Sequence, residues 1–337
     1  AGIRRRRVGS HLPGMVPPMA GACVIGVDVG GTKLLAGAVD ADLAVHHRAQ
    51  RSSQDLGTNE LLDVLAETVR AAANAAPTPV LGVGFGIPGA LDHRNGVVAA
   101  CPHLPLEGVR FQALMEERLG MPVAIDNDGN CAMLAEWRHG AAAGCSDAVM
   151  LTVGTGIGGG IVCGDRLVRG ASGGAAELGH MVVMLDGPPC QGQCPGRGHL
   201  ELYASGNAIG RAGVAAAAEH PDSAIAREQR EGREITGALV TELAHDGDAA
   251  ARGAIEQVGR ALGAGMVTLV NVFNPERIVV GGGAIAAGEV LLGPARREVA
   301  EHAMPSLRDV VEIIPARFGA DAGLLGAATL AFEEFAG

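Results

Sequence analysis

Apolar and polar positions along this chain fall into blocks whose period changes from block to block. Residues 24–29 are almost continuously apolar, as in a strand buried on both faces. Gly30-Gly31-Thr32-Lys33 interrupts the run, and residues 34–39 resume it. Asp40-Ala41-Asp42 reads as a turn and residues 43–47 as a third strand, so the chain opens with a meander. Leu61, Leu62, Val64, Leu65 and Val69 then take helical spacing. Residues 80–86 are a second buried strand, ending in Ile87-Pro88-Gly89. A loop follows, then a helix near 111–119, a strand at 123–125 and a helix starting at about Asp128.

The second half repeats this plan. Residues 147–153 read as a strand that runs into Gly154-Thr155-Gly156-Ile157-Gly158-Gly159-Gly160. A strand returns at 161–163, turns at Gly164-Asp165 and resumes at 166–168. Further on lie a long amphipathic helix at about 248–273, a strand at 277–280 and Gly281-Gly282-Gly283. More helix, a strand at 310–314 and a final helix at about 321–335 complete the chain, with Asp321 placed as an N-cap. Hairpins followed by helices, given twice, predict two α/β lobes with related cores. The boundaries predict a small domain of residues 22–139 plus 321–337 and a large one of 140–320, after a disordered tail at 1–21.

Composition narrows the functional classes. Apolar residues make up 48% of the 337 and aromatics only 2%, so the core must be built from Ala, Val, Leu and Ile. No apolar run approaches the length of a membrane span, so no membrane partner is expected. The net charge of −11 argues against a nucleic-acid partner, and the one basic cluster, Arg4-Arg5-Arg6-Arg7, lies in the Gly- and Pro-rich tail. That tail lacks the apolar centre of an export signal, and Met15 or Met19 is a candidate natural start. Cys23, Cys101, Cys131, Cys145 and Cys163 stand singly in apolar segments, as small buried hydrophobes in a reducing, cytoplasmic setting.

Three segments carry candidate chemistry. Gly154-x-Gly156-x-x-Gly159 matches the dinucleotide fingerprint in form, but the fingerprint needs a helix next and a strand follows here. Gly30-Gly31-Thr32-Lys33 lacks the spacing of a Walker A loop. Either turn alone is an ordinary hairpin turn. Two copies in equivalent positions, with Gly282 and Gly283 after a third strand, favour nucleotide phosphates cradled by backbone N–H groups. Asp28 before the first turn would hold a hydrated Mg²⁺, and Thr32, Lys33 and Thr155 would add donors.

Asp126-Asn127-Asp128-Gly129-Asn130 lies between a strand and a helix start, a usual site position. An N-cap role for Asp126 or Asp128 explains one acid, not four amide and acid side chains in five residues. An adjacent Asn and Asp can grip two sugar hydroxyls. The third segment holds Glu177-Leu178-Gly179-His180, Cys190, Cys194 and His199-Leu200-Glu201. Two thiols and two imidazoles this close are a donor set for a four-coordinate structural zinc, and the acids beside them are free for another task.

These motifs, in this order, resemble the ROK family of sugar kinases and sugar-responsive repressors. The markers are Asp28-Val29-Gly30-Gly31-Thr32-Lys33, Gly86-Ile87-Pro88-Gly89, Asn127-Asp128-Gly129-Asn130, the Gly154–160 run, Glu177-Leu178-Gly179-His180 and the Cys/His segment ending in Glu201. The resemblance covers nearly everything from about Cys23 onward. It implies the two-lobed actin-like ATPase (ribonuclease H-like) fold of hexokinases, chaperones and actin. It implies Asp128 as catalytic base, and Gly89, Asn127, Asp128, Glu177, His180 and Glu201 as sugar-binding residues. Asp28, Gly30, Gly31, Thr32, Lys33, Thr155 and Gly156 match the phosphate turns, and Gly282 and Gly283 the turn near the adenosine. His180, Cys190, Cys194 and His199 line up with the family's zinc ligands, which leaves His180 with one nitrogen on zinc and one toward sugar.

The chain departs from the family pattern at two points. Cys190-x-x-x-Cys194 replaces a Cys-x-Cys pair, and His199 stands where a third Cys is usual. The implied activity is phosphorylation of a hexose by Mg-ATP, with glucose first and N-acetylmannosamine, N-acetylglucosamine, fructose or allose as alternatives. Asp128 is expected to act with an ordinary aspartate pKa. A sugar-responsive repressor is the rival reading, set back by the acidic charge and by the absence of a helix-turn-helix pattern in the first twenty residues. The resemblance further implies a homodimer or homotetramer.

Overall fold

The computed structural model describes residues 21–191 and 194–336. The expected tail and its basic cluster, apart from Gly21, lie outside the described residues. In chain order the elements begin β1 (Cys23–Val29), β2 (Lys33–Asp40), β3 (Val45–Ser52), α1 (Thr58–Asn74), β4 (Val80–Ile87), β5 (Ala90–Asp92) and β6 (Val97–Ala100). They continue as α2 (Phe111–Leu119), β7 (Val123–Asn127), α3 (Asp128–His139), β8 (Ala148–Val153) and β9 (Ile157–Val162). Helices α4 (Glu201–Ala204), α5 (Gly206–Glu219), α6 (Ala224–Arg230), α7 (Gly237–His245) and α8 (Ala249–Phe273) follow. The chain ends in β10 (Arg277–Gly281), α9 (Glu289–His302), α10 (Pro305–Arg308), β11 (Glu312–Pro315) and α11 (Ala322–Phe335).

Two main sheets organise these elements. The first has the order β3-β2-β1-β4-β7, with β1 antiparallel to β2 and parallel to β4. Helix α1 covers one face through Leu61, Leu62, Leu65 and Val69, and α11 packs on β1 and β4. Phe85 and Phe111 meet edge to face at 5.1 Å within this core, two of the few aromatics the chain spends. The second sheet has the order β11-β10-β8-β9, and α5, α7, α8 and α9 build an aliphatic core against it. Helix α8 starts where its spacing predicts, with the Asp248 carboxylate accepting from Ala251 N at 2.8 Å.

Helix α3 joins the two sheets. It follows β7 directly, packs against α11 and lies on β9. The approach to β9 is so close that only glycine fits on either side. A Cβ on Gly129 would stand 2.4 Å from the Gly159 carbonyl oxygen. A Cβ on Gly160 would stand 2.4 Å from the Met133 Cβ. The glycine-rich segment therefore divides: residues 154–156 form the turn, while β9 begins at Ile157 and contains Gly158, Gly159 and Gly160. The pattern alone places that strand at 161–163, because glycine carries no periodicity.

Other boundaries move for identifiable reasons. The third strand starts at Val45, not Leu43, because Leu43 takes φ +62 inside the turn. The Asp40 carboxylate closes that turn by accepting from Asp42 N at 3.0 Å and Ala44 N at 2.9 Å. Residues 90–100, read as loop, contain the β5–β6 hairpin. Residues 166–168, read as strand, make only a single bridge between Leu167 and Val162, and Cys163, read as buried, is exposed because β9 ends at Val162 and the chain turns there. The strand expected at 310–314 is Glu312–Pro315. Asp321 occupies the N-cap position of α11 without capping it, since its carboxylate pairs with Arg48. Among the described residues no helix is long and apolar enough to cross a membrane.

Candidate active site

Strand β7 hands directly to α3, so residues 126–130 are fixed by both. The N-cap is Asn127, not either aspartate: its Oδ1 accepts from Asn130 N at 3.1 Å. Its Nδ2 donates to Gly89 O at 3.0 Å, which ties the Pro88-Gly89 bend to the head of α3. The same side chain also stabilises the charged form of Asp128 by a side-chain hydrogen bond. Asp128 is the first residue of α3 and is partly buried. Its Oδ1 accepts from Gly129 N at 2.9 Å. Burial raises its pKa above the usual aspartate value, and the Gly129 N–H and the nearby His103 oppose that rise. The ordinary pKa expected of this residue is thus corrected upward.

Asp28, at the end of β1, faces Asp128. Burial and then the Asp128 charge push it up to about 6, and Lys33 pulls it down. A buried acid raised by a second carboxylate at the mouth of a glycine turn is a place that attracts a cation. The turn itself closes by Gly30 N donating to Lys33 O at 2.9 Å, and leaves Gly31, Thr32 and Lys33 exposed. His103 lies against it, its Cβ at 3.3 Å from where a Gly31 Cβ would stand.

The second turn closes the same way, with Gly154 N on Gly156 O at 2.9 Å. The N-terminus of α5 braces it, with Gly206 N donating to Gly154 O at 2.7 Å. Gly282 sits beside it at φ +84, where a Cβ would meet the Val153 carbonyl oxygen at 2.4 Å. Thr155, Gly156, Gly282 and Gly283 therefore share one rim of the second sheet, because β8 and β10 are neighbours in it.

His180, Cys190, Cys194 and His199 converge. Their ligand atoms all lie within 4.8 Å of one another. The Nδ1 atoms of His180 and His199 are 3.0 Å apart. Cys190 and Cys194 Sγ stand 3.7 and 3.6 Å from His180 Nδ1, and Cys194 Sγ stands 3.8 Å from His199 Nδ1. Zinc bonds of about 2.3 Å to sulfur and about 2.0 Å to nitrogen give tetrahedral edges of about 3.3 Å (N–N) and about 3.6 Å (N–S). The donor set fits that tetrahedron. Burial, then the adjacent Glu201, push the Cys190 thiol up to about 12, so a cation is what would ionise it.

The acids beside this cluster reach back toward the base. His180 turns Nε2 toward Glu177, 3.9 Å from Oε2. Burial raises the pKa of Glu177; His180 lowers it, and the charges of Asp128 and Glu201 add to the rise. Glu201 is buried, and its carboxylate bridges two features: Oε1 accepts from Cys190 Sγ at 3.3 Å and Oε2 from Ile157 N at 3.4 Å. A Cβ on Gly156 would stand 2.5 Å from that Oε2. The Cys/His segment is thereby joined to the second glycine turn, and its Glu177 lies close enough to Asp128 to feel that charge.

Comparison with known proteins decides the family. The ROK family model matches residues 24–334. The chain belongs to the ROK family. The glucokinase of Thermotoga maritima is 34% identical to this ROK chain over 93% of it and 98% of the relative. A ROK glucokinase from Streptomyces griseus, solved in complex with glucose and AMPPNP, superposes with a TM-score of 0.82 at 34% identity, covering 92% of this chain and 99% of the other. A xylose repressor of Bacillus spizizenii is 27% identical over 92% of this chain and 77% of the relative. The two sheets with α3 and α11 between them are accordingly the actin-like ATPase fold.

The ROK site contains residues that pattern reading left out. Asp126, fully buried, accepts from Arg169 Nε at 2.7 Å on one oxygen, and the Arg169 Nη2 stands at 2.7 Å from the same oxygen as an ion pair. His93 Nε2 stands 3.6 Å from its other oxygen. A buried acid at a strand end requires a cationic partner, which is the one signal that could have prompted a search. Arg169 itself stands in a loop with no motif to mark it.

Proposed function

We propose that this ROK chain is an ATP-dependent hexokinase that converts glucose to glucose 6-phosphate, with ATP taken together with a divalent cation. The observation that carries the reading is Asp128: a partly buried carboxylate held between a phosphate-type turn and the Glu177–His180 segment. The match to glucokinases along nearly their whole length supports it. In the proposed reaction the sugar 6-hydroxyl attacks the γ-phosphorus of ATP. The new O–P bond forms as the bond to the β,γ-bridging oxygen breaks, and ADP leaves with that electron pair. Asp128 orients the hydroxyl and takes its proton.

Asn127, Gly89, Glu177, His180 and Glu201 are the proposed sugar ligands. Asp28, the Gly30–33 turn, Thr155-Gly156 and Gly282-Gly283 are the proposed nucleotide contacts. The lobes that close on them are residues 22–139 with 321–337, and 140–320. His180, Cys190, Cys194 and His199 are the proposed ligands of a structural zinc, which would supply rigidity and no chemistry of its own. The resemblance adds a homodimer or homotetramer to the proposal.

A coupled ADP-release assay over glucose, mannose, fructose, allose and the N-acetylhexosamines tests the reading. Glucose should give the highest kcat/KM. A clear preference for an N-acetylhexosamine would replace glucose as substrate. Sugar binding without ADP release from any of them would favour the regulator reading that the repressor match raises.

A further inference from the structure

Arg169 belongs to the loop after β9 in the second sheet, and Asp126 ends β7 in the first. Their contact is therefore a bond between sheets, made directly behind the proposed base. The Arg169 Nε and Nη2 both reach Asp126 Oδ2 at 2.7 Å. That leaves Oδ1 to accept from Asn127 N at 2.8 Å and from Asn130 Nδ2 at 2.9 Å. Asn127 is then held at its N–H by Asp126 and at its side chain by Asn130 N and Gly89 O. Asp128 is the next residue. Asp126 thus holds the Asn127 N–H and the Asn130 side chain on one oxygen and Arg169 on the other, beside the β4–β7 ladder and the Gly89 contact that also fix this backbone.

The alternative partner cannot do this. His93 stands at 3.6 Å, beyond hydrogen-bonding distance, and burial lowers its pKa so that it is neutral near pH 7. Beyond Arg169 the same loop seats on β5, where a Cβ on Gly173 would stand 1.7 Å from the Leu91 carbonyl oxygen. It then runs directly into Glu177 and His180. One loop thus carries both the guanidinium behind the base and the proposed sugar-side acid.

We propose that Arg169 is a positioning residue for phosphoryl transfer, which aims Asp128 through the Asp126 carboxylate and couples that aim to the seating of the Glu177–His180 segment. The inference rests on the sugar-kinase reading for its kinetics but not for its structural half. The planar guanidinium sets Nε and Nη2 side by side against one oxygen, with Nε donating, and an ammonium does not reproduce that geometry. Arg169→Lys keeps the charge beside the buried carboxylate and removes the fork, which separates positioning from charge compensation.

Arg169→Lys should melt within a few degrees of the wild type yet lose about tenfold in kcat, and Arg169→Met should lose about a hundredfold. KM for ATP should stay within about twofold in both. Full kcat in a folded Arg169→Lys would overturn the proposal, as would equal losses in kcat and in ATP affinity. Amide hydrogen exchange across residues 126–131, read without substrate, should rise in Arg169→Lys. Unchanged exchange would overturn the pairing whatever sugar the enzyme uses, while a wild type that phosphorylates none of the sugars would count against the kinase reading alone.

Discussion

Asp128 sits at the N-terminus of α3, where burial favours its protonated form and the Gly129 N–H favours the charged one. Burial dominates, so the carboxylate takes up a proton at a higher pH than an exposed aspartate does. A general base works only when ionised. The acid limb of kcat/KM should therefore fall at a pH above the ordinary aspartate value of 3.8, with activity lost as pH drops through the raised pKa. A profile flat down to pH 4 would remove Asp128 as the titrating base. Asp128→Asn keeps the shape and the helix start but cannot accept the proton. It should cost about 10²- to 10⁴-fold in kcat and leave the sugar dissociation constant within a few fold. Near-normal turnover in that variant, measured by ADP release, would sink the assignment.

At the scale of elements, the contact between α3 and β9 is the joint on which the site depends. Gly129→Ala places a methyl 2.4 Å from a backbone oxygen of β9, a distance that no rotamer change can relieve. The expected outcome is destabilisation of about 1–3 kcal/mol together with reduced kcat, because α3 must shift with Asp128 on its first turn. A melting curve matching the wild type would show that the joint yields. This joint also explains what could be read from the chain beforehand. Apolar runs such as residues 24–29 and 80–86 announce buried strands because they are covered on both faces, β1 by α1 and α11 and β4 by α11 and by Phe111 of α2. Gly158, Gly159 and Gly160 carry no periodicity, so their strand was legible only as a turn. The candidate base and metal donors stand in compact segments whose density of polar groups exceeds what capping requires. Asp126 and Arg169 are 43 residues apart, and only the meeting of the two sheets makes them partners. Asp321 marks the same limit in reverse: a sound local cap signal yielded to Arg48, which lies in β3 and out of reach of any local pattern.

Across the whole molecule, the Cys/His segment is the piece both halves of the site lean on. Glu201 links it to the second glycine turn through Ile157 N, and His180 links it to Glu177 and so toward Asp128. The two links differ in strength. Glu177 caps and His180 ends a single 3-10 turn, Leu178–His180, which Leu178 and Gly179 seat on β9 while the His180 ring reaches the Cys/His cluster. The second turn is also braced by Gly206 N and by the β8–β9 ladder. Loss of the proposed zinc should therefore release the proposed sugar ligands first. Chelation, or Cys194→Ser, should raise the sugar KM by at least tenfold while ATP-analogue affinity changes by less than about threefold; losing one partner of a ligand's support typically costs 10–100-fold. Zinc content, read by a chromogenic chelator, should fall from one per chain in parallel with sugar affinity. Equal loss of sugar and nucleotide binding would mean that the segment supports the whole fold rather than one wall of the cleft. Unchanged sugar affinity in the zinc-free protein would mean that the four donors converge without a metal-dependent role.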